Sequence, residues 1–399
     1  MFLAVVLPNS LQITTAAFLI LCACSGAFAM QKSRNILIIF ALYGASLFVT
    51  FTYVLVGVIR GATLEAVFQV ITIYAISPLL WICVAIAIRS RINSEIFAKW
   101  IAFLVISAAT SVAFFFYLFI NYGGEAVAFF IETANINLND GYVGATMSVY
   151  GSFIFLTGAL FASPTIIKNL TLRIFCLICV LVVVVTSGRS ALILSMLIGA
   201  AIFLLFLKVD RKSKSSFGGG IALIAVFIFG LCAYFYASSI DLNLIFQLFF
   251  EELTSGGGEE RVEQAIALLK GVGDTWALGA GHGVGVDYVR SEIYPWRYEL
   301  VWFATLYRVG LIGFLIYFLP LIFYFSRFFW FYRKRLLSRL DVFMFGGFFC
   351  ALLASNTNPY IEAYVFQWMY IVPFVFLMLK SKSRTDSDIA VESLRAKIS

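Results

Sequence analysis

Charge is scarce in this chain. Only 12% of its 399 residues are Asp, Glu, Lys or Arg, and there is one histidine. With 62% hydrophobic residues and a mean hydropathy of +0.98, that scarcity excludes an ordinary soluble domain. No His/Cys/Asp cluster has metal-ligand spacing, so no metal and no cofactor are expected. No serine lies in a nucleophile-elbow context. The seven cysteines all fall in apolar stretches, and none is placed to form a loop disulfide. Cys176 and Cys179 form C-x-x-C, but inside an apolar run. They read as packed small hydrophobes, not as a redox or metal pair. No internal repeat is evident.

What the chain has instead is long apolar runs. A membrane span needs about 20 apolar residues. Eleven stretches qualify: 12–30, 36–59, 67–88, 99–120, 143–162, 171–187, 190–207, 217–238, 299–324, 341–355 and 361–379. The expected fold is therefore all-α, a polytopic membrane protein with about 11 transmembrane helices. Residues 1–379 form one transmembrane domain that includes an outer-loop subdomain, 239–298. Residues 380–399 form a polar cytoplasmic tail. Forty-three Phe and 19 Tyr suit a lipid-facing surface with interfacial aromatics.

Basic residues set the orientation. Segments 31–35, 89–99, 163–173, 208–216, 326–340 and 380–399 hold 21 of the 28 Lys and Arg. They alternate with acid-richer loops, as the positive-inside rule requires. The N-terminus is expected outside and the C-terminus inside. The net charge of +7 follows from this asymmetry and does not point to nucleic acid.

Two segments imitate other signals. The first 30 residues look like a signal peptide ending in Ala27-Phe28-Ala29, and Leu21-Cys22-Ala23-Cys24 resembles a lipobox. The run has no positive charge before it, so an uncleaved first span is favoured. Asp386-Ser387-Asp388 has the D-x-D pattern of a nucleotide-sugar site, but it lies in the polar tail and reads as chance.

Two outer loops have size. Residues 121–142 are mildly acidic. Residues 239–298 have internal structure. A helix is expected from Glu259 to Lys270, started after the Gly256-Gly257-Gly258 run and stopped by Gly271. Val262, Ala265, Ile266 and Leu269 share a face that should rest on the membrane domain and turn Arg261 toward the bilayer edge. Gly279-Ala280-Gly281-His282-Gly283-Val284-Gly285 has no βαβ context, so it is not a dinucleotide site. It reads as a flexible turn that lets backbone approach something closely.

The candidate site residues are mostly arginines. Arg189, at the tight hairpin Ser187-Gly188-Arg189 between two spans, can fork onto phosphate oxygens or simply snorkel. Arg261, Arg290, Arg297 and Arg308 are the others. An arginine inside a span, such as Arg308, implies a partner or a polar cavity. Glu299 is one candidate for that partner. Cations gathered at an outer face suggest an anionic lipid headgroup as ligand. Glu299 and His282 are the possible proton acceptors. Desolvation at the membrane edge would raise the pKa of Glu299 toward a useful range, whereas a lone loop histidine is more often merely solvated. Asn356, Asn358 and Tyr360 lie in the Pro-stopped turn Ser355–Tyr360, either a plain polar turn or a sugar or phosphate contact.

Several of these pieces, in this order, resemble the O-antigen polymerase and O-antigen ligase superfamily. The marks are Thr186-Ser187-Gly188-Arg189-Ser190-Ala191-Leu192, Arg261 in the loop helix, Leu278-Gly279-Ala280-Gly281, Gly310-Leu311-Ile312-Gly313 and Asn358-Pro359. They cover about residues 140–379. The resemblance implies a bacterial inner-membrane enzyme of lipopolysaccharide biosynthesis, working on undecaprenyl-diphosphate-linked oligosaccharides at the outer face, with membrane lipid and a chain-length regulator protein as partners. It implies inversion at the sugar C1. Family members often carry His-Asn about a dozen residues before the Gly-Leu-Ile-Gly element, where this chain has Glu299-Leu300. That departure favours polymerase over ligase. A transporter or flippase is the reading from another class. It is disfavoured because spans 36–59, 99–120 and 217–238 hold no Asp, Glu, Lys, Arg or His apart from Lys99 at the edge of one of them.

Overall fold

A computed structural model describes residues 1–7, 11–28, 33–123, 137–139, 142–144, 147–186, 190–206, 258–292, 294–356 and 358–380, with Met30 and Ala126. The helices are α1 (Phe2–Val6), α2 (Gln12–Phe28), α3 (Arg34–Ile59), α4 (Leu64–Arg91) and α5 (Ser94–Tyr122). They continue with α6 (Met147–Ala162), α7 (Leu170–Thr186), α8 (Ser190–Leu205), α9 (Gly258–Asp274), α10 (Val301–Arg333), α11 (Arg339–Ala354) and α12 (Trp368–Met378). Among the described residues α3, α4, α5 and α10 are long and apolar enough to cross a membrane, and five other apolar helices are shorter.

Most expected spans coincide with helices, and the differences have local causes. The expected span 217–238 and the loop up to residue 257 lie outside the described residues. Span 143–162 starts later, at Met147, because an antiparallel pair of three-residue strands, Asn137–Asn139 and Tyr142–Gly144, precedes it. Span 361–379 opens instead with a 3-10 turn, Tyr360–Glu362, and becomes α-helical only at Trp368. Span 299–324 continues to Arg333 and is broken at Gly310, whose φ of 61° no α-helix permits. In α4, residues Thr72–Ile76 take a π-helical turn. The loop helix does not stop at Gly271 but runs to Asp274.

Polar residues start several helices. Asn93 accepts the N–H groups of Glu95 and Ile96 at 3.1 and 2.8 Å. Ser338 and Asp341 form a reciprocal capping box at α11. Arg327 closes α12 by donating to the carbonyls of Leu377, Met378 and Lys380 at 2.9–3.1 Å.

α6 is the central helix. Every residue from 151 to 162 is buried, as suits an enclosed helix whose only polar side chains there are Ser152 and Thr157. It packs on α8 and α11. Gly158 lets both come close: a Cβ on Gly346 would lie 2.8 Å from the Gly158 carbonyl, and one on Gly199 2.6 Å from it. Aromatic stacking continues the core, with Phe328 and Phe345 at 3.9 Å.

The two ends of the bundle differ in charge. Among the described residues one end gathers cations from four of the basic segments: Arg89, Lys99, Lys168, Arg335, Arg339 and Lys380 line one cavity there. The other end carries residues 258–300, seated on α3, α4 and α10.

Candidate functional site

The site is built on the N-terminal end of α10. α9 packs against α10, but through a different stripe from the one its apolar pattern suggests. Gln264 and Leu268 are buried, at 1% and 0% exposure, while Val262, Ile266 and Leu269 are 58%, 62% and 49% exposed. The expected face is therefore corrected. Two contacts decide the rotation. Gln264 Oε1 accepts the N–H of Leu300, at 2.9 Å, a donor that the start of α10 leaves without a helical partner. Gly271 lies so close to Tyr307 that a Cβ would meet its ring at 2.7 Å.

That rotation brings Arg261, one turn before Gln264, onto Glu299. Arg261 Nε donates to Glu299 Oε2 at 2.9 Å, and Arg290 Nη2 donates to Oε1 at 2.6 Å. Both carboxylate oxygens are engaged. The two arginine side chains are 35% exposed and Glu299 is 19% exposed. Among the described residues Arg297 takes no part in these ion pairs and instead holds its guanidinium 5.4 Å from the centre of the Tyr294 ring.

Arg308 lies deeper and does not pair with Glu299. Its partner is Glu362, and both side chains are 4% exposed. Arg308 Nη2 also donates to the Trp296 carbonyl at 2.6 Å. Tyr74 donates to Glu362 Oε1 at 2.7 Å. Trp296 Nε1 reaches Gln69 on α4 at 2.8 Å. These bonds clamp the end of the loop between α4, α10 and the Tyr360–Glu362 turn.

His282 is not a solvated loop residue. It is 1% exposed. Its N–H donates to the Tyr53 carbonyl at 2.8 Å. Its Nε2 is 3.1 Å from the Tyr317 hydroxyl, which is 2.8 Å from Thr50 Oγ1. Burial, and secondarily the nearby Arg308 cation, push its pKa down to about 3. The imidazole is neutral and walled off. The Gly-rich turn supplies the close approach: Gly281, at φ 98°, leaves only 2.3 Å between a hypothetical Cβ and the Gly57 backbone nitrogen.

Of the other candidates, Arg189 lies outside the described residues. Asn356 Oδ1 sits 3.5 Å from the Trp302 nitrogen, at the first turn of α10. Asn358 shapes the turn through its backbone, its carbonyl accepting the Tyr360 N–H at 2.7 Å. Tyr360 is buried edge-on against Phe366. Five further residues hold the site: Glu362, Tyr74, Tyr317, Gln69 and Gln264. Glu362 was within reach of sequence reasoning. It is an acid at the start of an apolar run, and an arginine inside a span requires a counter-charge.

Next to the ion pair is an apolar cavity of about 260 Å³ between α3, α4, α10 and α12. Tyr74, Tyr317, Trp302, Phe314 and Tyr370 line it. Among the described residues no group of His, Cys, Asp and Glu could hold a metal ion. No family model, curated protein or solved structure matches this chain.

Proposed function

We propose that this chain is a polysaccharide polymerase of the O-antigen type. It transfers a glycan from undecaprenyl diphosphate to a hydroxyl of another lipid-linked repeat unit, without a metal. The observation that carries this reading is the convergence of Arg261 and Arg290 on Glu299, at the end of the bundle away from the basic cavity. In this reading about eleven spans cross a bacterial inner membrane. The N-terminus is outside, the basic end faces the cytoplasm and the 239–298 loop faces out.

The chemistry needs an anion site and a base. Two half-exposed guanidinium groups held on one carboxylate suit a diphosphate, whose oxygens compete for the same donors. When the diphosphate enters, the forks turn from Glu299 to phosphate. The carboxylate is then free to take the proton from the acceptor hydroxyl. That oxygen bonds to the sugar C1 as the C1–O bond to the diphosphate breaks, and the departing diphosphate keeps the electron pair. Fixed cations stabilise the charge that develops on it. The apolar cavity beside the Arg308–Glu362 pair suits part of a prenyl chain. His282, buried and neutral, positions the loop in this scheme.

The rival enzyme reading is the ligase, which moves the glycan to lipid A–core. The Glu299-Leu300 pair, in place of His-Asn, argues for the polymerase. The glycan profile of a deletion strain tests both. Loss of long chains with one capped repeat retained is the expected result. Loss of every repeat from lipid A–core means ligase, and an unchanged profile removes both.

A further inference from the structure

The cavity at the basic end has a volume of about 1060 Å³. Arg89, Lys99, Lys168, Arg335, Arg339 and Lys380 line it, against two carboxylates, Glu95 and Asp341. Lys168 pairs with Glu95 at 3.7 Å, and Lys380 with Asp341. Among the described lining residues the cations outnumber the carboxylates by four, and Arg339 also donates to the Thr165 carbonyl. The walls beside these cations are apolar, with Phe97, Leu172, Met344 and Phe376.

Arg335 is held there against its backbone preference. It occupies the residue just past the end of α10, at φ 56°. The N–H groups of Arg335 and Leu336 bond the carbonyls of Tyr332 and Phe331, both at 2.9 Å. This is a Schellman motif, whose left-handed position is normally glycine. A long cationic side chain at such a point carries steric strain, which persists where the side chain is of use.

We infer that this cavity binds the phosphate-bearing headgroup of an anionic glycerophospholipid. Basic pockets between membrane helices recognise such headgroups. A free phosphate would leave the apolar walls unmatched, whereas a lipid brings its glycerol and acyl chains to them. Residues 381–399 carry Lys382, Arg384, Arg395 and Lys397 against Asp386, Asp388 and Glu392, so their side chains bring no net negative charge to match these cations. The inference requires only that the bundle sits in a membrane, and it is independent of the polymerase reading.

Thermal unfolding of the purified full chain in detergent, with added cardiolipin, tests it. Cardiolipin should raise the melting temperature, and phosphatidylcholine should not. The variant Arg335→Gly/Lys99→Gln removes two cations, and glycine fits the positive φ, so the variant should fold at least as well. Each cation near an anionic headgroup contributes about 1 kcal/mol. The pair should therefore raise the lipid concentration for half the shift by roughly thirtyfold. Equal shifts in wild type and variant, or an equal response to phosphatidylcholine, would overturn the proposal. The same shift from inorganic pyrophosphate alone would assign the cavity to a soluble anion and overturn the lipid. A shift that appears only after removal of residues 381–399 would mean that the tail fills the cavity, and would overturn it too.

Discussion

Arg308 and Glu362 form a buried ion pair between α10 and the Tyr360–Glu362 turn, 54 residues apart in sequence. Each has a second partner, the Trp296 carbonyl for Arg308 and the Tyr74 hydroxyl for Glu362. Removing one member of such a pair leaves the other charge buried and uncompensated, at a cost of about 3–5 kcal/mol. Glu362→Gln and Arg308→Gln should each sharply lower the yield of folded protein extracted from membranes. The double variant should recover part of it. Arg308→Gln combined with Glu299→Gln should recover nothing, because Glu299 is not the partner. Normal yield from Glu362→Gln would show the pair to be dispensable.

Glu299 is expected to behave differently. It is partly exposed and sits on the surface of the bundle. If it takes the acceptor proton, Glu299→Gln should cut polymer formation by about 10²–10⁴-fold, the usual worth of a general base, with protein level near normal. Arg261→Ala and Arg189→Ala should each abolish long-chain product. Lysine should rescue poorly, since it lacks the planar fork. Full-length polymer from Glu299→Gln, read on a gel of extracted glycan, would end its role as base.

The histidine makes a pH prediction. Its pKa falls from the ordinary 6.5 to about 3 in the folded chain. Between those values the unfolded chain holds more protons than the folded one. Stability therefore falls as pH drops from 6.5 toward 3, and the imidazole contributes no pH dependence above that window. His282→Gln should show a shallower loss of melting temperature between pH 6.5 and 4.5 than the wild type. Identical acid slopes would mean that His282 is accessible and titrates normally.

The seat of the loop can be tested at glycine. A methyl on Gly57 would lie 2.0 Å from the His282 carbonyl, and one on Gly281, at φ 98°, 2.3 Å from the Gly57 nitrogen. Gly57→Ala and Gly281→Ala should each lift the loop and expose 275–300 to protease. Overpacking typically costs about 1–3 kcal/mol. Gly44 on α3 has no neighbour within 4 Å of its would-be Cβ. Gly44→Ala should leave protease resistance unchanged. Equal resistance in all three variants would contradict the docking.

Orientation is checked by labelling. In a Cys-free background, Thr275→Cys should react with an impermeant reagent from outside the cell. Lys168→Cys should react only after the membrane is opened. Reaction of position 275 from the cytoplasmic side alone would reverse the whole topology.

Which parts were legible in sequence depends on their range. The helices were readable because a span is a local property of about 20 residues. That residues of four basic segments meet at one end followed from their alternation. The close approach at Gly281 was also visible, though not its target, Gly57, which lies more than 200 residues earlier. The face of α9 was misread because hydrophobicity was weighed alone. Gln264 won a buried position by accepting a backbone N–H, and Gly271 by its lack of a side chain. The partner of Arg308 was not legible, and the candidate offered, Glu299, is not the one the fold supplies. Glu299 was near in sequence, but the helix places Arg308 facing the other way, toward a turn that only the fold brings near.

The π turn at Thr72–Ile76 sets the phase of everything after it. Its carbonyls are shared out: Ile73 to Gln367 and Ala75 to Tyr43, both at 2.8 Å. The extra residue rotates the rest of α4 by about 100° relative to an uninterrupted α-helix. In that rotated phase Ser77 reaches Gln367 and Trp81 reaches the Tyr364 carbonyl, both at 2.7 Å. Deleting one residue between 72 and 76 would give a smoother helix locally and a mistimed one globally. Tyr74 could then stay on Glu362 only if Ser77 and Trp81 let go of their partners near α12. The count of residues in that one turn matters as much as their identity.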